Sequence, residues 1–196
     1  MPIEIRETFE VQAPVEAVWA FLLDPQRVSA CMPGAALDEV VDERTFLGTI
    51  RVKVGAVTTS YKGRVQLTGV DEAARTVSMV AEGRETGGGT ARGTMSSRLR
   101  SLGDGRTEVV AEASVDLTGR VMQVGRGMIQ GVSHQLFLQF VASARQRLEA
   151  PEGADAGEPA ESEPIRIVPV VLRVVWSGIA GFFRRLFRWL LRRPPE

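Results

Sequence analysis

Residues 45–67 read TFLGTIRVKVGAVTTSYKGRVQL, and their alternation decides the fold. Phe46, Gly48, Ile50, Val52 and Val54 face one way, and Leu47, Thr49, Arg51 and Lys53 face the other. That period of two is the mark of a strand with one side against a core. Gly55-Ala56 supplies a turn, after which Val57, Thr59, Tyr61, Gly63, Val65 and Leu67 resume the alternation. The same pattern reaches back to Ala35. It continues through Val77, Met79 and Ala81, then Ala91, Gly93, Met95, Ser97 and Leu99, then Val109, Ala111, Ala113, Val115 and Leu117. Six antiparallel strands result, with turns at Asp71-Glu72-Ala73-Ala74, Gly87-Gly88-Gly89 and Gly103-Asp104-Gly105. Connections this short predict a meander.

On the N-terminal side, residues 3–12 (IEIRETFEVQ) form a further half-buried strand on Ile3, Ile5, Phe9 and Val11, with a shift of phase near Glu7 and Thr8. Pro14 then opens PVEAVWAFLLD, whose Val15, Val18, Trp19 and Leu22 keep helical spacing until Asp24-Pro25 ends it. A second short helical piece runs through Ala30, and Cys31-Met32-Pro33-Gly34 turns the chain into the strands. On the C-terminal side, residues 121–149 switch to helical spacing. One broad face takes Val121, Met122, Met128, Ile129, Val132, Leu136, Phe140, Val141 and Ala144. Gly125, Gly127 and Gly131 each lower helix propensity by up to about 1 kcal/mol relative to Ala, so the first half of this helix is predicted to be less firmly held. The order of elements defines an α+β domain over residues 1–149, a curved antiparallel sheet wrapped around a long C-terminal helix. Its small inward residues leave room for an apolar cavity.

The chain of 196 residues carries 24 Lys+Arg and 24 Asp+Glu, and 44% of it is hydrophobic, which argues against a body that coats nucleic acid. The balance conceals a segregation. Residues 150–164 (APEGADAGEPAESEP) hold acids and no base, nor any branched apolar or aromatic side chain, and read as a flexible acidic linker. Residues 165–196 hold seven Arg against Glu196 alone. Wound as a helix, this tail aligns Arg173, Arg184, Arg188 and Arg192, with Arg185 at the border, opposite a side containing Phe182, Phe183, Phe187 and Trp189; Trp176 joins the aromatic set. Only the ten residues Val174 to Phe183 separate Arg173 from Arg184, too few to span a bilayer. An Arg face opposite Trp, Phe and Leu suits the headgroup plane of an anionic leaflet, so the tail is expected to attach the protein peripherally. Docking of the same face on the body or on a partner helix is the alternative. The lone Cys31 excludes an internal disulfide and suits a reducing compartment, which places the expected attachment on the cytoplasmic face of the cell membrane.

Catalytic signals are sparse. His134 has no second His or Cys at ligand spacing, so no metal site is expected. No nucleophile motif surrounds Ser, Thr or Cys31, and the triglycine turn lacks a following Lys-Ser/Thr and a helix. What remains is a lining. Met32, Phe46, Tyr61, Met79, Met95, Met122 and Met128 are candidates to face the space between sheet and helix, as ligand contacts or as ordinary core. Tyr61 brings one hydroxyl to a mainly apolar guest, and a quinone ring with its tail suits such a lining.

The Pro14–Asp24 helix, the Cys31-Met32-Pro33-Gly34-Ala35 turn, Phe46-Leu47-Gly48, Val52-Lys53-Val54-Gly55 and Tyr61-Lys62-Gly63 together resemble the carbon monoxide dehydrogenase G-subunit family of the START-like (SRPBCC) superfamily. The resemblance covers about residues 3–148. It implies a helix-grip fold enclosing an apolar cavity. It also implies association with a carbon monoxide dehydrogenase or a related molybdenum hydroxylase, and recruitment of that enzyme to the membrane. Other superfamily members bind lipids, hormones or coenzyme Q, and some are cyclases. Three functions follow as expectations: a tethered carrier of a noncovalently bound quinone, a recruitment adaptor without ligand, and a cyclase-like enzyme. A monomer is the expected state.

Overall fold

The computed structural model describes residues 2–150. The chain runs β1 (Ile3–Val11), α1 (Val15–Leu23), α2 (Pro25–Ser29), β2 (Ala35–Asp42), β3 (Thr45–Val54), β4 (Val57–Asp71), β5 (Thr76–Glu85), β6 (Thr90–Gly103) and β7 (Arg106–Leu117). A short 3-10 turn at Arg120–Val124 then leads into α3 (Arg126–Leu148). The linker from residue 151 onward and the tail at 165–196, with Arg173, Trp176, Phe182, Phe183, Arg184, Arg185, Phe187, Arg188, Trp189 and Arg192, lie outside the described residues.

All strands join one antiparallel seven-stranded sheet in the order β1-β7-β6-β5-β4-β3-β2. Strands β2 to β7 form the expected meander, and β1 adds to β7 from Ile3 opposite Val115 to Val11 opposite Thr107. Asp24 explains how two helices meet at Pro25. It closes α1 in an extended conformation, and its carboxylate accepts from Gln26 N and Arg27 N at 2.9 and 3.1 Å to start α2. Gly34 holds φ +74° in the turn into β2, and a Cβ there would stand 2.3 Å from the Arg51 carbonyl oxygen, so only glycine fits.

Two expectations change. Strand β1 has no phase shift: Ile3, Ile5, Glu7, Phe9 and Val11 all lie on the more buried side. Glu7 belongs there because its carboxylate meets His134 Nδ1 of α3 at 2.7 Å. The terminal helix does not begin at residue 121. Gly125, at φ +87°, breaks the chain between the 3-10 turn and α3, so Val121 and Met122 pack from a separate turn.

The core is densest where α1 and the C-terminal half of α3 cross the sheet. Phe9, Trp19, Phe21, Val77, Leu99, Val109, Phe140 and Ala144 are buried together there. Phe9 meets Phe137 edge-on at 5.8 Å, and Phe21 lies 6.4 Å from Phe140. A smaller cluster of Ile3, Val54, Val121 and Ile129 closes the other end. The candidate site lies between the sheet and the helices that cover it.

Candidate functional site: an apolar cavity with one polar end

The strand register explains why the interior is not filled. Gly48 of β3 is paired with Gly63 of β4, Gly63 with Gly83 of β5, and Gly83 with Ala91 of β6. Four adjacent strands thus present no side chain larger than a methyl along one line. The next inward row adds Ala81 opposite Gly93. Over this bare band the sheet and helices enclose a cavity of about 540 Å³. Leu22, Val28 and Met32 close it from the α1 and α2 side, and Ile129, Val132 and Leu136 close it from α3. Arg64, Glu82 and Arg92 touch it only from the opposite strand phase, beside the glycines, with exposed side chains.

Of the residues predicted from sequence, Met32, Phe46, Tyr61 and Met79 line this cavity, and three do not. Met95 pairs with Met79 and Ala113 and keeps the inward phase of Gly93 and Leu99, yet is not among the residues that line the cavity. Met122 packs into the end cluster beside Val121 and Ile129. Met128 is 48% exposed. Its sulfur covers the β3–β4 turn, 2.9 Å from where a Cβ on Gly55 would sit.

One end of the cavity is polar, and most of it is not apparent from the sequence pattern. Thr59 and Tyr61 are successive inward residues of β4, 3% and 7% exposed, and both line the cavity. Neither hydroxyl has a hydrogen-bond partner among the described residues. Across the β4–β5 ladder Tyr61 is paired with Glu85, whose side chain is 3% exposed. Glu85 Oε1 lies 3.4 Å from Arg120 Nη2, while Oε2 is unpartnered and stands against Gly89 and Gly119. Burial pushes the Tyr61 phenol above its ordinary value; the nearby Thr59 hydroxyl works against that rise and the Glu85 carboxylate adds to it. The phenol therefore stays protonated at neutral pH and is available as a donor. Glu85 continues the inward phase of Val77, Met79 and Ala81, which is the signal that could have found it.

The lining as a whole is apolar and suits an apolar molecule. Among the described residues no set of three His, Cys, Asp or Glu could hold a metal ion, and no helix is long and apolar enough to cross a membrane. Cys31 is buried and its thiol is pushed up by desolvation, with Arg147 and Arg27 pulling the other way.

A curved antiparallel sheet gripping a C-terminal helix over an apolar cavity defines a START-like domain, and solved structures agree. A conserved protein from Geobacillus kaustophilus is 22% identical with a TM-score of 0.69, covering 75% of this chain and 95% of its own. The Zhui aromatase/cyclase from a Streptomyces species is 16% identical with a TM-score of 0.57, covering 76% and 94%. A START superfamily protein from Mycobacterium smegmatis is 11% identical with a TM-score of 0.50, covering 74% and 97%. These likenesses establish the fold alone. The chain belongs to the carbon monoxide dehydrogenase G-subunit (CoxG) family, which matches residues 8–149 and is a family of accessory subunits. No curated protein matches it in sequence.

Proposed function

We propose that the protein is a membrane-tethered accessory of a carbon monoxide dehydrogenase-type molybdenum hydroxylase, and that its cavity binds and carries a quinone. The observation that carries this reading is the cavity of about 540 Å³, kept bare by the row Gly48, Gly63, Gly83 and Ala91. Gly48 and Gly63 also serve the backbone, where a Cβ would stand 2.8 Å from the Ala36 carbonyl oxygen and 2.3 Å from the Glu82 carbonyl oxygen, so it is the apolar space left over the row, and not the glycines alone, that favours a carrier over an adaptor. The lining fits the guest: Phe46, Met32 and Met79 offer apolar and polarisable surface for a ring and its tail, and Tyr61 offers a donor to a ring oxygen. A bound quinone would supply two-electron acceptor chemistry, while these residues bind it, orient it and shield it from water. The family assignment supports the dehydrogenase as partner. The Arg-rich, aromatic tail at 165–196 supports attachment to an anionic cytoplasmic leaflet.

The test is to purify the full-length protein from its native membranes, extract it with organic solvent and identify the extract by mass spectrometry. A near-stoichiometric quinone is expected. An extract without quinone, together with failure of added quinone to bind, leaves the adaptor as the better reading. Cutting the chain after Ala150 is expected to abolish binding to anionic vesicles while the body stays folded; continued vesicle binding refutes the role of the tail.

A further inference from the structure

Five hydroxyl side chains line the cavity, and the structure separates them into two kinds. Ser29 Oγ donates to the Gln26 carbonyl at 3.1 Å, Thr49 Oγ1 to Asp38 Oδ2 at 2.8 Å, and Ser133 Oγ to the Ile129 carbonyl at 3.0 Å. Thr59 Oγ1 and Tyr61 Oη alone among them bond to no other group of the described residues and lie only near each other. These two are also more than nine-tenths buried, and alternation on β4 turns both side chains to the same face. A buried hydroxyl is costly to leave unbonded, so a pair of them facing an apolar cavity marks where an oxygen of a guest belongs.

The charge beside the pair narrows the chemistry. Glu85, paired with Tyr61 across the ladder, already buries one carboxylate at this end, and its Oε2 has no partner. Neither Glu85 nor Arg120 lines the cavity itself; the Glu85 charge acts on the Tyr61 phenol beside it, and Arg120 meets only Oε1 and keeps its side chain 64% exposed. A second anion placed at the hydroxyls would be close to that carboxylate, while the arginines that touch the cavity, Arg64 and Arg92, do so with exposed side chains on the opposite strand phase. We propose that Thr59 and Tyr61 form a head-group subsite that accepts a neutral oxygen, a ketone or quinone carbonyl, and that Glu85 makes the subsite reject carboxylates. This rests on reading the cavity as a ligand site. The phenol donates to the carbonyl oxygen, the Thr59 hydroxyl completes the pair, and the hydrocarbon body lies along the bare glycine band.

Three probes with one aromatic body test it on the full-length chain by titration calorimetry: acetylnaphthalene, ethylnaphthalene and naphthoate. Acetylnaphthalene is expected to bind the unaltered protein most tightly and to weaken about fivefold in Tyr61→Phe and in Thr59→Val, the size of one net hydrogen bond. Ethylnaphthalene, lacking the oxygen, is expected to bind all three proteins alike, which also shows that the variants fold. Naphthoate is expected to bind at least about tenfold more weakly than acetylnaphthalene, and to recover in Glu85→Gln. Equal binding of acetylnaphthalene to the unaltered protein and both variants overturns the subsite and leaves the cavity reading standing. Naphthoate binding as tightly as the ketone overturns the selection by Glu85. Failure of all three probes to bind overturns the cavity reading itself, and the subsite with it.

Discussion

If the bare band exists to hold a guest, then filling it should make the protein more stable and less able to bind. Ala81 is the position to fill, because it lines the cavity and its neighbour across the ladder is Gly93, which leaves the space above it open. Ala81→Leu adds three carbons. At about 0.8 kcal/mol per buried carbon, less about 0.5–1 kcal/mol for the leucine rotamers, the net gain is about 1.5 kcal/mol. For a domain of this size that raises Tm by about 3–6 °C. The same side chain occupies ligand space, and overpacking of about 1.4 kcal/mol weakens binding tenfold. Thermal unfolding with and without acetylnaphthalene reads both effects. At a probe concentration of about 100 times the unaltered Kd, binding adds about 2.7 kcal/mol to the unaltered protein and about 1.4 kcal/mol to the variant. The two changes must run in opposite directions. A variant that loses stability shows that the space is not there, and a variant stabilised by the probe as much as the unaltered protein shows that the space is not the site.

Gly131 of α3 has nothing within 4 Å of its missing Cβ, so Gly131→Ala should raise stability by about 0.5–1 kcal/mol in urea unfolding, while Gly125→Ala, at φ +87°, should lower it by at least about 1 kcal/mol. Equal effects of the two changes would mean that the break before α3 is not where the backbone places it. Arg120→Ala and Glu85→Gln, combined in a double-mutant cycle, should show a coupling of about 1 kcal/mol, modest because the arginine is largely in solvent; zero coupling would remove the link between β5 and the 3-10 turn. Tyr61 is the only tyrosine, so the ultraviolet absorbance of tyrosinate reports it alone. Its folded value is raised above 10.0, so the folded state holds the proton longer than the unfolded state and stability should fall as pH rises from about 10 toward the folded value. Tyr61→Phe should lack that alkaline loss, and a phenol titrating at the ordinary value would place it in water.

The strands are legible because a period of two survives in sequence without any knowledge of partners, and because the Gly-bearing turns mark their ends. Phase alone places Phe46, Tyr61 and Met79 inside. Register is not legible, and register makes the cavity: Gly48, Gly63, Gly83 and Ala91 are scattered over more than forty residues and become one row only when the strands pair. For the same reason methionine, a residue type suited to irregular apolar contacts, does not by itself identify the lining: Met122 is placed by the break at Gly125 and Met128 by the exposed start of α3, while Met95 keeps the inward phase but is not among the lining residues. Glu85 escapes a reading by residue type because carboxylates usually face solvent, although its phase is the inward one. The pairing of β1 with β7 joins residues about 100 apart in the chain, beyond the reach of any local pattern.

The two halves of α3 divide stability from access. Its C-terminal half carries Phe140, Val141 and Ala144 into the main core, and its end is tied down by Arg145 Nε to the Glu10 carbonyl at 2.8 Å and by Gln12 N to the Glu149 carboxylate at 2.9 Å. Its N-terminal half buries Ile129 alone, contains Gly127 and Gly131, and leaves Met128 exposed over the β3–β4 turn. The first part is held by Ile129 and by the His134–Glu7 contact at 2.7 Å, the second by the aromatic core. Local openings follow the cheaper route. The glycines that weaken the helix therefore sit beside Ile129 and Val132 of the cavity lining, and the aromatic residues that hold the fold sit toward its other end.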